Sequence, residues 1–195
     1  MTASSVLTDL AEVGFTVGSL SELRDSGVRY AKAIPVLISA LLEAETPRDI
    51  ELLARTLGTS WAGEAAFKAL LWRYESLEGN GSSFDSARWA IGNSLEIMWD
   101  DRHFDQLARI AAESSNGRSR QMIVLGFGKS KQPDAVPLLL NLVHDPDVDG
   151  HAVLALVRHK DPRSREALQS KIRDSRAWVR KAALRGLQHI TQSPN

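Results

Sequence analysis

Apolar residues recur along the chain at intervals of three and four positions, and sustained alternation of apolar and polar residues is missing. This spacing predicts amphipathic helices rather than strands. Clusters of Gly, Pro, Asp, Asn and Ser separate the apolar stretches and predict turns between the helices. The pattern therefore predicts an all-α protein.

The segment DSRAWVRKAALRGL, which begins at Asp174, shows the helical pattern most clearly. At 100° per residue, its small and apolar side chains fall on a stripe about 140° wide, which predicts a buried face. The stripe consists of Val179, Ala182, Ala183, Gly186, Leu187 and Ile190. Lys181 and Arg185 point away from the stripe, and Arg180 lies at its edge. Asp174 or Ser175 is expected to cap the helix by accepting a backbone N–H.

The same segment recurs about every 30 residues. VRKAALRGL aligns with VDGHAVLAL, SRQMIVLGF and ARWAIGNSL, which begin at residues 179, 148, 119 and 87 respectively. A small residue precedes the last apolar position each time, and the four are Gly186, Ala155, Gly126 and Ser94. Another apolar segment precedes each match, as in AVPLLLNLV and REALQSKI. Such helix–turn–helix units cannot bury their apolar faces alone, so we expect them to stack into an α-solenoid.

Two stretches, AVPLLLNLVHDPDVDGHAVLALV and LQSKIRDSRAWVRKAALRGL, resemble the HEAT-repeat family in its short, phycobilisome-lyase-like form. The family pattern places Asp at the turn and Arg six residues later, and Asp174 and Arg180 match it. Arg120 and Arg88 keep the arginine, whereas Asp149 stands at the arginine position of the fourth repeat.

The resemblance implies a right-handed α-solenoid of about five repeats in a single domain that spans residues 1–195. N-terminal capping helices are expected in residues 1–30, since a terminal repeat needs a polar outer face. The repeats are expected at residues 31–60, 62–99, 103–128, 134–160 and 162–190.

Composition adds a charge asymmetry to this picture. Hydrophobic content of 43% and charged content of 25% are ordinary for a globular protein. The net charge is zero, but residues 1–101 hold 8 Lys/Arg against 15 Asp/Glu, and residues 102–195 hold 16 against 9. The basic C-terminal half indicates an acidic partner, or serves only to keep the chain soluble.

The apolar runs are too short for a membrane span, and MTASSVLTDLAEVG does not resemble a secretory signal. We therefore expect a cytoplasmic protein that does not associate with membranes. Zero cysteines exclude disulfides and thiolate metal sites.

Two short motifs and the histidines suggest binding chemistry, and we favour a structural interpretation of each. DPDVDG (145–150) begins like a calcium loop, but Leu156 replaces the required Glu, so a turn that caps the next helix is expected. LGFGKS (125–130) lacks the first glycine of a phosphate loop, and Gly128 is expected to be a left-handed helix C-cap. The five histidines lack the spacing of a helical zinc pair, so no metal or cofactor is expected.

The segment MWDDRHFDQ (98–106) combines Trp, Asp, Arg and His, and some HEAT-like proteins are DNA glycosylases that use Trp, Asp and Arg. We favour a turn in which Asp100 and Asp101 cap the helix that follows. The other four tryptophans are expected mainly to pack, with one or two exposed as anchors for a partner.

The leading prediction is a non-catalytic scaffold that binds a protein partner through the surface lined by the second helices of the repeats. Six residues are the candidate contacts for this partner: Arg88, Trp89, Arg120, Trp178, Lys181 and Arg185. The alternative is a nucleic-acid-binding module that uses the basic C-terminal half. A glycosylase-like or lyase-like enzyme is the third possibility.

Overall fold

The protein is all-helical. A computed structural model describes the backbone of residues 3–192 and the side chains of residues 5–190, so both ends of the predicted domain lie outside it. Including short 3₁₀ turns, 74% of the structure is helical, and no strand occurs in the described range, which confirms the all-α prediction. The helices are α1 (Ala3–Glu12), α2 (Leu20–Asp25), α3 (Ile34–Glu43), α4 (Pro47–Leu57), α5 (Glu64–Ser76), α6 (Ser82–Met98), α7 (Phe104–Ala112), α8 (Gln121–Gly126), α9 (Ala135–Leu142), α10 (Asp149–His159), α11 (Arg165–Ser170) and α12 (Ala177–Gln192).

The chain forms two compact units, Met1–Met98 and Trp99–Asn195. In the first unit, α1 contacts α3 and α3 contacts α5, while α2 contacts α4 and α4 contacts α6. In the second unit, α8 contacts α10 and α10 contacts α12. Consecutive helices also contact each other, as in α3 with α4 and α9 with α10. Both units therefore contain contacts between sequential helices and contacts between helices two positions apart in the chain.

Short polar side chains begin several helices. The Thr46 hydroxyl accepts a hydrogen bond from the backbone N–H of Asp49 at 3.1 Å, and Pro47 occupies the first position of α4. The Thr46 bond satisfies an N–H group that has no partner inside the helix. Asp174 accepts from the backbone N–H of Arg176 at 2.9 Å, but α12 begins only at Ala177, so this bond stabilises the preceding turn instead of capping the helix.

The buried face of α12 is the one that its sequence predicts. Val179 and Ala183 have no exposed surface, and Ala182 and Ile190 are also buried. Lys181 is exposed on the opposite side. The apolar stripe of α12 therefore faces the core of the second unit and its charged side chains face solvent.

Small residues allow neighbouring helices to approach closely. A methyl group on Gly126 of α8 would lie 2.3 Å from the Trp99 ring, a separation that no carbon contact tolerates. Ser94 of α6 donates a hydrogen bond to the carbonyl of Ala54 of α4 at 2.8 Å. The small residue before the last apolar position thus permits a close approach, of the Trp99 ring to α8 at Gly126 and of α4 to α6 at Ser94.

The prediction that Gly128 is a left-handed C-cap is wrong. Gly128 lies in the 3₁₀ turn Phe127–Lys129 after α8 and has no positive φ, whereas the C-cap of α10, Lys160, is left-handed with φ 55°. A methyl group on Gly128 would lie 2.9 Å from Cα of Ala155 and 2.8 Å from Cδ of Arg158. The glycine is needed for close approach to α10 rather than for its backbone conformation.

Ala183→Glu should lower the free energy of unfolding by about 3 kcal/mol, because it places a carboxylate where no water reaches. Leu184→Glu is the matched control, since Leu184 is the next residue of α12 and is 51% exposed. We expect Leu184→Glu to change stability by less than about 0.5 kcal/mol. Urea unfolding followed by circular dichroism measures both, and equal effects would contradict the assignment of the buried face.

Candidate functional site

Arg120, a predicted partner contact, is buried in the second unit. Its side chain has no exposed surface. The guanidinium donates to the carbonyls of Gly117 and Ala111 at 2.9 and 2.8 Å and to the Asp145 carboxylate at 2.7 Å. Because nothing remains for a partner to contact, Arg120 is not part of the candidate site.

Arg88 and Arg180 also bind carbonyls of the turn before their helix. Arg88 donates to Gly79 at 3.2 Å, and Arg180 donates to the carbonyl of Asp174 at 2.8 Å. The predicted pair of Asp174 and Arg180 therefore meets through the backbone, whereas the Asp174 carboxylate binds the Arg176 guanidinium at 2.8 Å. The arginine of the repeat pattern thus stabilises the turn in each of these repeats.

Asp149 stands at the position of this arginine in the pair α9 and α10, and its contact carries the opposite charge. One of its carboxylate oxygens accepts hydrogen bonds from Lys171 at 2.6 Å and from Arg176 at 2.7 Å. Burial opposes ionisation of Asp149, but hydrogen bonds from Arg176 and Lys171 hold its pKa below the usual range. The buried carboxylate therefore joins the start of α10 to the turn before α12.

The DPDVDG segment forms a turn, although its aspartates do not cap α10 as expected. The N-cap residue is Val148, and the Asp145 carboxylate instead accepts from the N–H of Asp147 at 3.0 Å within the turn. Salt bridges engage all three aspartates. Within the described residues, no group of three or more His, Asp or Glu side chains is arranged to hold a metal.

The MWDDRHFDQ segment forms the turn that we favoured, but of its two aspartates only Asp100 acts as a cap, and it caps the 3₁₀ turn Asp101–His103 rather than α7 itself. Asp100 accepts from the N–H of Arg102 at 3.0 Å and begins the turn before α7. The Trp99 indole donates to Asp101 at 2.9 Å and packs edge-on against Phe127, with ring centroids 4.8 Å apart. The Trp99 indole and the Asp101 carboxylate are therefore bound to each other, and the indole packs on the core.

Three of the predicted contact residues do share one exposed face of α12. Trp178, Lys181 and Arg185 follow the i, i+3, i+7 spacing of one helix face, and all three are exposed. We call them the α12 stripe. The Trp178 ring is held in place by the Arg176 guanidinium 5.6 Å away and by close packing on Gly150, where a methyl group would lie 2.3 Å from the indole.

The remaining candidate, Trp89, is half-buried under the Arg55 guanidinium at 5.7 Å.

A second candidate site is concave and lies in the first unit, where Arg88 and Trp89 are the predicted contact residues. It is a cavity of about 710 Å³ lined by the ends of α2, α4 and α6 and by the segments that follow α2 and α4. We call it the arginine cleft and define it by Arg24, Val28, Arg29, Arg55, Trp61 and Ile97. Its volume is within the range of ligand-binding sites.

Aromatic packing fixes the wall of the arginine cleft. The Arg29 guanidinium lies over the Trp61 ring at 5.5 Å, and Trp61 packs edge-on against Tyr30 at 4.9 Å. The Tyr30 hydroxyl donates to the carbonyl of Thr56 at 2.7 Å, and burial raises the pKa of this tyrosine. Trp61 is therefore anchored to α4, and it positions Arg29 at the rim.

The other two arginines of the cleft already have carboxylate partners. Arg24 binds Asp25 through two N–H groups at 2.8 and 3.2 Å, and this hydrogen bonding raises the pKa of Arg24. Arg55 binds Glu51 one turn earlier in α4 at 2.9 Å. Arg29 forms no salt bridge with any described residue.

Comparison with known proteins finds no match, either to a protein-family model or to a curated protein. The helices within residues 3–192 are too short or too polar to cross a membrane.

Asp145→Ala should lower the free energy of unfolding by about 3 kcal/mol, because it leaves the buried Arg120 guanidinium without its carboxylate. Asp147→Ala in the same turn is the control, since its 3.6 Å contact with Arg118 is solvent-exposed and its loss should cost less than about 0.5 kcal/mol. Chemical unfolding of both variants measures the difference. Similar losses in the two would show that the burial of Arg120 does not depend on Asp145.

Proposed function

We propose that this protein is a non-catalytic, HEAT-like α-solenoid scaffold of the cytoplasm that binds a protein partner through its second helices. These are the even-numbered helices α2 to α12, and the odd-numbered helices are the first helices of the pairs. The observation that carries the proposal is the arginine cleft, since α2, α4 and α6 all contribute side chains to it.

Two features of the fold support a repeat architecture. Within the first unit, first helices pack on first helices and second helices pack on second helices, which is how repeats contact their neighbours in a solenoid. In three of the pairs, an arginine in or just before the second helix binds a carbonyl of the preceding turn, and these arginines are Arg88, Arg120 and Arg180.

The exposed side chains of the second helices support protein binding. Ile97 of α6 is 40% exposed, and Trp178 of α12 is 43% exposed. Arginines adjoin both, because Arg55 shares the cleft with Ile97 and Arg185 shares a face with Trp178. Tryptophan and arginine are enriched among the residues that dominate protein–protein affinity, and fixed positions lower the entropic cost of binding.

Photo-crosslinking in the native cell tests which face binds. A photoreactive phenylalanine analogue is placed at Ile97 or Lys181, on second helices, and at Trp72, which lies on the first helix α5 and is 52% exposed. We expect a protein adduct of defined mass when the photoreactive residue is at Ile97 or at Lys181, and no adduct when it is at Trp72. Mass spectrometry of the adduct identifies the partner. Equal adducts from Trp72, or adducts from that position alone, would contradict the proposal.

Nucleic-acid binding is a second candidate, which the α12 stripe favours. Residues 99–195 hold 16 Lys/Arg against 11 Asp/Glu, a net charge of +5, and Lys181 and Arg185 are exposed. Several other cations of this unit are engaged in salt bridges with aspartates, which weakens the field available to phosphates.

The protein-binding proposal predicts no salt-sensitive affinity for a fluorescent duplex of mixed sequence at low ionic strength. Fluorescence anisotropy between about 50 and 200 mM salt measures this. If the duplex does bind, and if the slope of log affinity against log salt concentration decreases by about one for Lys181→Ala and for Arg185→Ala, the nucleic-acid function is established instead.

A further inference from the structure

We propose that the arginine cleft binds an acidic peptide segment, with a carboxylate on the Arg29 guanidinium and a neighbouring apolar side chain on Val28 and Ile97. This inference rests on the proposed protein-binding function and identifies the chemistry of the partner. Four observations carry it: one guanidinium without a salt bridge, a fixed aromatic wall, exposed apolar side chains, and the charge of the surrounding unit.

The first observation concerns how the positive charges of the cleft are used. Arg24 and Arg55 are bound to Asp25 and Glu51, whereas Arg29 forms no salt bridge with a described residue. A guanidinium offers a planar pair of N–H donors that matches the two oxygens of a carboxylate. The cleft therefore has one cation whose donors suit a carboxylate from outside the chain.

The second observation is that Arg29 is positioned before any ligand arrives. Its guanidinium lies over the Trp61 ring, which in turn packs against the buried Tyr30. The indole is thus fixed from one side by Tyr30 and covered on a face by Arg29. A ligand that binds this arginine need not order a free side chain, which lowers the entropic cost of binding.

The third observation is apolar surface at the same site. Val28 is 58% exposed and Ile97 is 40% exposed, and both line the cleft with Arg29. A purely ionic ligand would leave these side chains in water. A ligand that presents an apolar group beside its carboxylate covers them, and an acidic peptide with leucine-like side chains has this combination.

The fourth observation favours a short acidic peptide over nucleic acid. Residues 1–98 hold 8 Lys/Arg against 13 Asp/Glu, a net charge of −5, so a long polyanion that extends beyond the cleft meets repulsion. Single-stranded nucleic acid also needs open aromatic faces on which its bases stack. Here Arg29 covers a face of Trp61, and Tyr30 is buried with its hydroxyl bonded to Thr56.

Fluorescence polarisation with the full chain tests the inference. The probe is a labelled, amidated peptide of sequence EELLEE, and the matched neutral peptide is QQLLQQ. We expect EELLEE to bind about tenfold more tightly than QQLLQQ, the difference made by a charge-assisted pair of hydrogen bonds. Equal affinities, or no binding of EELLEE, would overturn the inference.

Variants locate the binding within the cleft. Arg29→Gln should weaken EELLEE about tenfold, whereas Arg48→Gln should not, since Arg48 is exposed on α4 but lies outside the cleft lining. Ile97→Ser tests the apolar contact from α6 and should also weaken binding of the peptide. Circular dichroism confirms that each variant is folded. Equal effects of Arg29→Gln and Arg48→Gln would show that only the net charge of the protein matters and would overturn the site.

A labelled oligothymidylate provides the competing outcome. If it binds more tightly than EELLEE and loses affinity in Arg29→Gln, the cleft is a nucleic-acid site and the peptide inference is wrong. The crosslinking experiment is independent of peptide charge. Protein adducts from Ile97 together with failure of EELLEE would therefore refute the acidic peptide alone and leave the protein-binding function standing.

Discussion

Each helix of this protein is too short to be stable without the helices packed against it, and the rest of the structure depends on that constraint. The helices range from 6 residues in α2, α8 and α11 to 17 in α6. Isolated helices of this length are marginal in water, so packing of their apolar faces must supply the stability. The buried stripe of α12 and the close contacts at Gly126 and Ser94 are the consequences in sequence.

The backbone carbonyl groups in the turns between paired helices also need hydrogen-bond donors. Arg88, Arg120 and Arg180 meet this need by donating to carbonyls of the turn before the second helix. Asp149 shows that the contact tolerates reversal of charge, since Lys171 and Arg176 from the next turn then supply the cations. The donors of these three arginines therefore stabilise the fold. Other residues form the surface that is available to a partner.

The two surfaces proposed to bind a partner are the arginine cleft and the α12 stripe, whose side chains are exposed. The arginine cleft combines a positioned guanidinium with exposed apolar side chains inside an otherwise acidic unit. The α12 stripe places an indole beside two cations in the basic unit. The two surfaces differ in the ligand they suit, because the first is a local positive site in a negative field and the second is part of a broader positive field.

Local periodicity was sufficient to predict the helices, the buried side of α12 and the outward direction of Lys181 and Arg185, because each depends only on residues three or four apart. It failed at Arg120, whose pattern is that of an exposed arginine but whose side chain is enclosed by the turn before α8 and by Asp145, 25 residues later. It also missed the cleft, since Arg29, Arg55, Trp61 and Ile97 belong to separate segments. Which of these segments meet is decided by how α2, α4 and α6 pack, and no spacing within a single helix encodes that.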